Sequence, residues 1–265
     1  MKKKAISIVL ILAALMALFT GCGKKQSSSK SALERVKKAG KIIAATDDTY
    51  PPMEYRDSNN KLIGFEVDMA DALSKKLGIK IQMVPTSWDG IFAGLKAKKY
   101  DTIISCVTMT PEREKAMLFA GPTFNSGEAI SVRKGDTRIK SADDLKGKTV
   151  GVQINTTGDD AVKKLGTVKN IKEYDKMTDA FNDLVIGRLD AVVVDLPVSK
   201  YYSQLGGSKF DVLSKTLNTE EVGIPFRLED KDLRDAMNKA YKEIVADGTA
   251  SKISMKWFNY DAYKK

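Results

Sequence analysis

Several polar residues stand where a strand should hand over to a helix, and together they could hold a small zwitterion. Arg113 falls in the first turn after Thr110-Pro111-Glu112, with Thr108 just before it. A planar guanidinium there could grip a carboxylate through two parallel hydrogen bonds, helped by the N–H groups of the helix start; a solvated surface arginine is the plain alternative. Asp195 follows the apolar run Ala191 to Val194. It could accept an ammonium, or equally cap a helix that begins near Pro197. Trp88 and Tyr50 offer flat faces to an aliphatic, amide or cationic group, unless they are ordinary packing. Thr156 and Thr157 open a helix, so they could cap it, donate to the same carboxylate, or do both. Asp47, beside Asp48, could read the far end of a ligand, although adjacent acids are often turn residues.

These residues need a scaffold that brings loops together, and the alternation of the chain supplies one. Strand patterns at Lys41 to Thr46, Ile79 to Val84 and Asp101 to Ser105 enclose helical patterns at Phe65 to Leu77 and Trp88 to Lys98. In the first of these helices Phe65, Met69, Leu73 and Leu77 recur every fourth residue and Gly78 supplies the stop. The rhythm returns with strands Thr149 to Gln153, Val168 to Tyr174 and Ala191 to Val194 around helices Thr156 to Leu165 and Thr178 to Gly187. Alternating strands and helices imply an α/β fold with mostly parallel sheets covered on both faces. In such sheets ligands settle beyond the carboxyl ends of strands. Asp47 and Tyr50, Ser105 to Arg113, Gln153 to Thr157, and Asp195 all fall there.

A weak internal echo points to two similar halves. Leu95 to Ile104 and Leu184 to Val193 carry a leucine, a base (Lys99, Arg188), an aspartate (Asp101, Asp190) and an apolar pair at the same offsets. Glu221 to Arg227 reads as a strand returning to the first half, followed by helices over Lys231 to Asp247 and Ala250 to Phe258.

Composition removes several classes. The chain has 265 residues, 43% hydrophobic and 29% charged, which is ordinary for a globular protein of one large or two smaller domains. It has no histidine, so Ser-His-Asp and Cys-His catalysis and the usual histidine-bearing zinc sites are excluded; neither a metal nor a cofactor is expected. The formal charge is +10, but six lysines lie in an acid-free first 30 residues, leaving +4 for the rest. That, with no basic helix interleaved with aromatics, argues against a nucleic-acid partner.

The amino terminus reads as an address. Three lysines, an uncharged run from Ala5 to Phe19, and Thr20-Gly21-Cys22 have the order of a secretory signal; the run is shorter than a spanning helix needs. Residues 1–21 are therefore expected to be removed. The small pair before Cys22 resembles a bacterial lipobox, which implies a lipidated Cys22 with 22–30 as a flexible tether. Cys106 would then be the only thiol left, so no intrachain disulfide is expected.

From residue 33 to 260 the sequence resembles the extracytoplasmic solute-binding proteins of bacterial polar amino-acid ABC importers. The resemblance is carried by Thr46 to Glu54 (TDDTYPPME), Gly64 to Asp68, Trp88 to Ile91, Asp101 to Ser105 with Thr108 to Arg113, Leu145 to Lys148 leading to Val150 to Gln153, Arg188 to Asp195, and Asp247 to Thr249. It implies a two-lobe clamp, lobe 1 from 31–125 and 221–265 and lobe 2 from 126–220, joined by two hinge strands. By that similarity Arg113, Thr108 and Thr157 hold an α-carboxylate, Asp195 the α-ammonium, Tyr50 and Trp88 the walls and Asp47 the side-chain tip, with Ser105, Cys106, Gln153 and Thr156 in the same pocket. Cys106 stands where Gly or Ser is usual, Met53 where Phe is common, and Asn155 where Gly precedes the threonine pair.

The function implied is capture of a free amino acid, such as arginine, lysine, histidine or glutamine, by a monomer anchored outside the cytoplasmic membrane, with closure read by an ABC permease. Rivals are a cystine-binding member of the same family and an enzyme on the same clamp, such as a periplasmic dehydratase, which would need a catalytic acid. The core of a glutamate-gated channel would interrupt the hinge with membrane helices, and no apolar run of that length follows residue 20.

Overall fold

The computed structural model describes residues 31–205, 207 and 209–264. The expected signal, tether and lipidated Cys22 lie outside the described residues, among which no helix is long and apolar enough to cross a membrane.

The first strands are β1 (Lys41–Thr46), β2 (Thr49–Tyr50), β3 (Glu54–Arg56), β4 (Leu62–Ile63), β5 (Lys80–Pro85) and β6 (Thr102–Ile103). β1 lies between β5 and β6, parallel to both. Helix Phe65–Leu77 covers this sheet because its four-residue spacing buries Phe65, Met69 and Leu73, and Gly78 ends it in a left-handed turn. Later come β9 (Glu128–Arg133), β10 (Thr149–Gln153), β11 (Asn170–Tyr174), β12 (Ala191–Asp195) and β13 (Phe210–Val212), which form a second sheet in the order β11-β10-β12-β9-β13.

The two halves share a device that the sequence echo anticipated. Asp101 accepts from Ile43 N at 2.8 Å and its own N–H donates to Ile43 O at 2.8 Å. Asp190 does the same with Thr149, at 3.0 and 2.9 Å. Each aspartate clamps the start of the strand beside it, so the echo is one helix-to-strand turn used twice.

The expectation of mostly parallel sheets holds for β5-β1-β6, but the first half also carries the small antiparallel sheet β2-β3-β4. In the second, β10 runs parallel to β11 and β12, but β9 is antiparallel to both β12 and β13. The reason is connectivity. β8 (Met117–Ser126) passes directly into β9 through Gly127 alone, so β9 enters its sheet against the direction of the strands that arrive by helical crossovers. The return crossing runs close by; a Cβ on Gly127 would sit 2.3 Å from the Asn218 carbonyl oxygen. β14 (Glu220–Arg227) then pairs antiparallel with β8 along its length and with β7 (Val107–Thr108). Two adjacent antiparallel strands therefore carry the chain out of the first half and back into it.

Helix Lys231–Ala246 buries Leu233, Met237 and Ile244 against the first half, where they join Ile42, Phe65, Leu73 and Phe226. The second sheet packs Ile130, Val150, Val152, Val162 and Val193 into its own cluster, and Phe181 stacks on Tyr202 at 3.8 Å on the other face.

Candidate functional site

The eleven residues singled out from the sequence, Asp47, Tyr50, Trp88, Ser105, Cys106, Thr108, Arg113, Gln153, Thr156, Thr157 and Asp195, line one narrow cavity between the two halves. Asp47 and Tyr50 follow β1, Ser105 and Cys106 follow β6, Gln153 and Asp195 end β10 and β12. The strand ends thus point their loops at a common gap.

Local structure decides the alternatives left open by the sequence. Thr110 caps helix Pro111–Ala116, its Oγ1 accepting from Arg113 N at 3.2 Å. That cap aims the Arg113 side chain inward, where Nη1 donates to Thr108 O at 3.0 Å and the guanidinium lies over Trp88 at 5.7 Å and Phe92 at 4.8 Å. Arg113 is therefore not a free surface arginine. Asp195 precedes helix Leu196–Gln204 yet makes no side-chain cap; it accepts instead from Tyr50 OH and Ser126 Oγ, each at 2.7 Å. Asp47 and Asp48 separate. Asp48 pairs with Arg56 at the surface at 2.5 Å. Asp47 turns inward, holding Thr49 N at 3.1 Å with one oxygen and receiving Gln153 Nε2 at 2.7 Å on the other. Thr156 caps helix Thr157–Leu165 through Asp159 N at 3.2 Å; Thr157 Oγ1 lies 3.3 Å from Thr108 Oγ1 across the gap.

The halves are drawn together around the cavity. Besides the Tyr50 to Asp195 and Gln153 to Asp47 bonds, Trp88 Nε1 donates to Asn155 O at 3.2 Å, and Tyr55 meets Tyr201 with ring centroids 5.7 Å apart. Cys106 and Asn155 both have positive φ, 47° and 59°, the left-handed region that glycine occupies without strain. The Cys106 thiol is buried in the cavity wall, and burial raises its pKa well above the ordinary value.

The structure adds residues that the sequence did not reveal. Phe92 backs Arg113 and Trp88. Glu128 and Glu220, which open β9 and β14, reach Asp195 so closely that one oxygen from each of the three lies within 4.8 Å of the others. Thr157 Oγ1 donates to Glu128 Oε1 at 2.8 Å, and Thr108 Oγ1 donates to Glu220 Oε2 at 2.9 Å. Glu128 sits above Gly158, where a Cβ would come within 2.8 Å of Oε2. Burial raises the carboxyl pKa values of Asp195, Glu128 and Glu220, and their mutual repulsion raises those of the two glutamates further. The Arg113 pKa is lowered by burial while these acids oppose that shift; an arginine keeps its charge regardless. Each glutamate begins a strand of otherwise ordinary composition, and nothing in the spacing marks it.

A second buried pair, Glu54 and Glu66, lies under the floor. Ser105 Oγ donates to Glu54 Oε1 at 2.7 Å and accepts from Asp47 N at 3.0 Å, tying the pair to the cavity. Burial raises Glu66 from 4.5 to about 7. A carboxyl whose pKa rises on folding gives stability that is complete below its unfolded value and is lost as pH rises through its folded value. The melting temperature should therefore fall between about pH 5 and about pH 8, and Glu66→Gln should flatten that fall. An unchanged slope in calorimetric melts across this range would contradict the assignment.

Residues 42–260 match the family described as bacterial extracellular solute-binding proteins, family 3. The chain belongs to that family. Among curated proteins, this solute-binding protein is 35% identical to the L-cystine-binding protein TcyJ of Escherichia coli over 250 residues, 94% of each chain. Among solved structures it resembles a mutant of ArgBP from T. maritima, with a TM-score of 0.81 and 38% identity over 86% of this chain and 99% of that one. It resembles equally the ancestral amino acid-binding protein AncCDT-1, described as a precursor of cyclohexadienyl dehydratase, with a TM-score of 0.81 and 38% identity over 86% and 100%. These are two-lobe α/β proteins, and the solute-binding protein shares their fold.

Proposed function

We propose that the protein captures a free cationic amino acid, arginine before lysine or histidine, and that the closed clamp delivers it to an ABC permease. The supporting observation is that Arg113, from the first half, and Asp195, from the second, line the same interlobe cavity. A zwitterion meets both charges only when the halves are together, so it binds the closed form better and shifts the population toward it. The moving bodies are residues 31–125 with 221–265 and residues 126–220. Arg113, Thr108 and Thr157 take the α-carboxylate and Asp195 the α-ammonium, while Tyr50, Trp88 and Thr156 shape the walls over a floor of Ser105 and Cys106. Asp47, held by Gln153, faces the far end.

Charge favours a cationic side chain. Asp47 and Asp195 line the cavity with Glu128 and Glu220 close behind, and Arg113 is the one cationic side chain in the lining. Cystine would bring a second carboxylate with no second cation to meet it. Relatives described as binding proteins favour binding over catalysis, and the bound amino acid is expected to be recovered unchanged. The protein acts as a monomer tethered outside the cytoplasmic membrane by lipid on Cys22, which mass spectrometry of the mature amino terminus tests.

A thermal-shift panel of the standard amino acids, ornithine and cystine checks the ligand class. A ligand at 100 times its dissociation constant adds about 2.7 kcal/mol, worth roughly 5 to 10 °C for a chain of this size. Arginine should give the largest shift and aspartate and glutamate none; a largest shift from an acidic amino acid, or no shift at all, would sink the reading.

A further inference from the structure

The hydroxyl protons of Thr108 and Thr157 are already committed. Each threonine hydroxyl has one proton to give. Thr108 gives its proton to Glu220 Oε2 at 2.9 Å, and Thr157 gives its own to Glu128 Oε1 at 2.8 Å while lying 3.1 Å from the same Glu220 oxygen. Glu220 also lies among the acids whose charge opposes the lowering of the Arg113 pKa by burial. The Glu220 carboxylate thus takes the two hydroxyls that the α-carboxylate of a bound amino acid would address.

From this we infer that Glu220 is an internal stand-in for the ligand's α-carboxylate: it competes for the hydroxyls of Thr108 and Thr157, and so sets the affinity of the clamp. The inference rests on the assignment of those two residues to the α-carboxylate.

The surroundings suit a displaceable group. Asn218 Nδ2 donates to Glu220 Oε1 at 2.7 Å, which steadies the carboxylate from the hinge side. Glu220 and Thr157 also line a wide outer groove with Lys140, Lys164 and Lys215. A carboxylate pushed from the threonines can turn there toward water and ammonium groups. Against that, a ligand carboxylate entering beside an undisplaced Glu220 meets like charge in a site already holding Asp195 and Glu128 within 4.8 Å. Neutralising Glu220 removes both the competition and the repulsion.

The test uses the full mature chain, with L-arginine and L-argininamide as probes in titration calorimetry. The wild-type protein should bind arginine well and the amide poorly. Glu220→Gln, nearly the same shape without the charge, should bind arginine about tenfold tighter and change amide binding less than twofold. Glu220→Asp, which keeps the charge but draws it back by one methylene, should fall between. Thermal melts establish that each variant is folded.

If the wild-type protein separates arginine from its amide but Glu220→Gln binds arginine no tighter, the inference fails alone. Weaker arginine binding by Glu220→Gln overturns it too, and makes Glu220 a partner of the ammonium. If the wild-type protein fails to bind arginine, or binds acid and amide alike, the α-carboxylate assignment falls and takes the inference with it.

Discussion

An Arg113→Ala variant should bind its amino acid roughly 30-fold to a few thousand-fold more weakly in calorimetry, because truncating one member of a buried charged pair costs about 2 to 5 kcal/mol. Two effects add here. The guanidinium makes the only cationic contact in the cavity lining, and its removal leaves Asp195, Glu128 and Glu220 without the positive charge that now offsets their mutual repulsion. Arg113→Lys should recover only part of the loss. An ammonium retains the charge, but it is a point donor and cannot reproduce a two-pronged grip or the planar contact with Phe92 and Trp88. Unchanged affinity in Arg113→Ala would remove the basis of the proposed function.

The second large effect is expected at Asp195. Asp195→Asn keeps acceptor oxygen and shape near Tyr50 and Ser126 and deletes the charge, so binding of the amino acid should weaken on the order of 100-fold. The loss should be specific to the ammonium. A 2-oxo acid with the same side chain has no ammonium, and its weak binding should be no worse in the variant than in the wild type. Should the variant lose both ligands equally, Asp195 holds the cleft together without reading the ligand.

Much of this site could be read before any coordinates because its residues sit at positions with local signatures. Thr110-Pro111 announces a helix start, and that start fixes where Arg113 points. Thr156 caps the next helix in the same manner, and Asp195 ends an apolar strand. The helix Phe65–Leu77 was legible from its spacing alone, and the turn at Asp101 and Asp190 from its repetition.

What escaped the sequence depends on contacts between distant segments. β8 carries Gly121-Pro122 and lacks a simple alternation, so its pairing with β14 follows from topology and from no period of its own. The helix expected over Trp88 to Lys98 is only Ile91–Lys96, because Trp88 and Asp89 turn aside to reach Asn155 in the other half. Asp101 to Ser105 reads as a full strand but pairs only at Thr102–Ile103, since Ser105 and Cys106 leave the sheet to form the cavity floor. Glu128 and Glu220 belong to the same class: each is unremarkable in its own segment, and each acquires meaning only where the two crossings bring it to Asp195.

The crossing strands also impose an order on the making of the molecule. Residues 127–219 run continuously and contain every strand of their sheet, so that half can complete itself as soon as it has been synthesised. The other half cannot. Ile42, Phe65 and Leu73 are made early, but the residues that cover them, Phe226, Leu233, Met237 and Ile244, come from the last fifth of the chain. The amino-terminal portion must therefore remain without its partners while the middle portion folds, and a chain cut short before residue 220 would hold one finished half beside one permanently exposed apolar face.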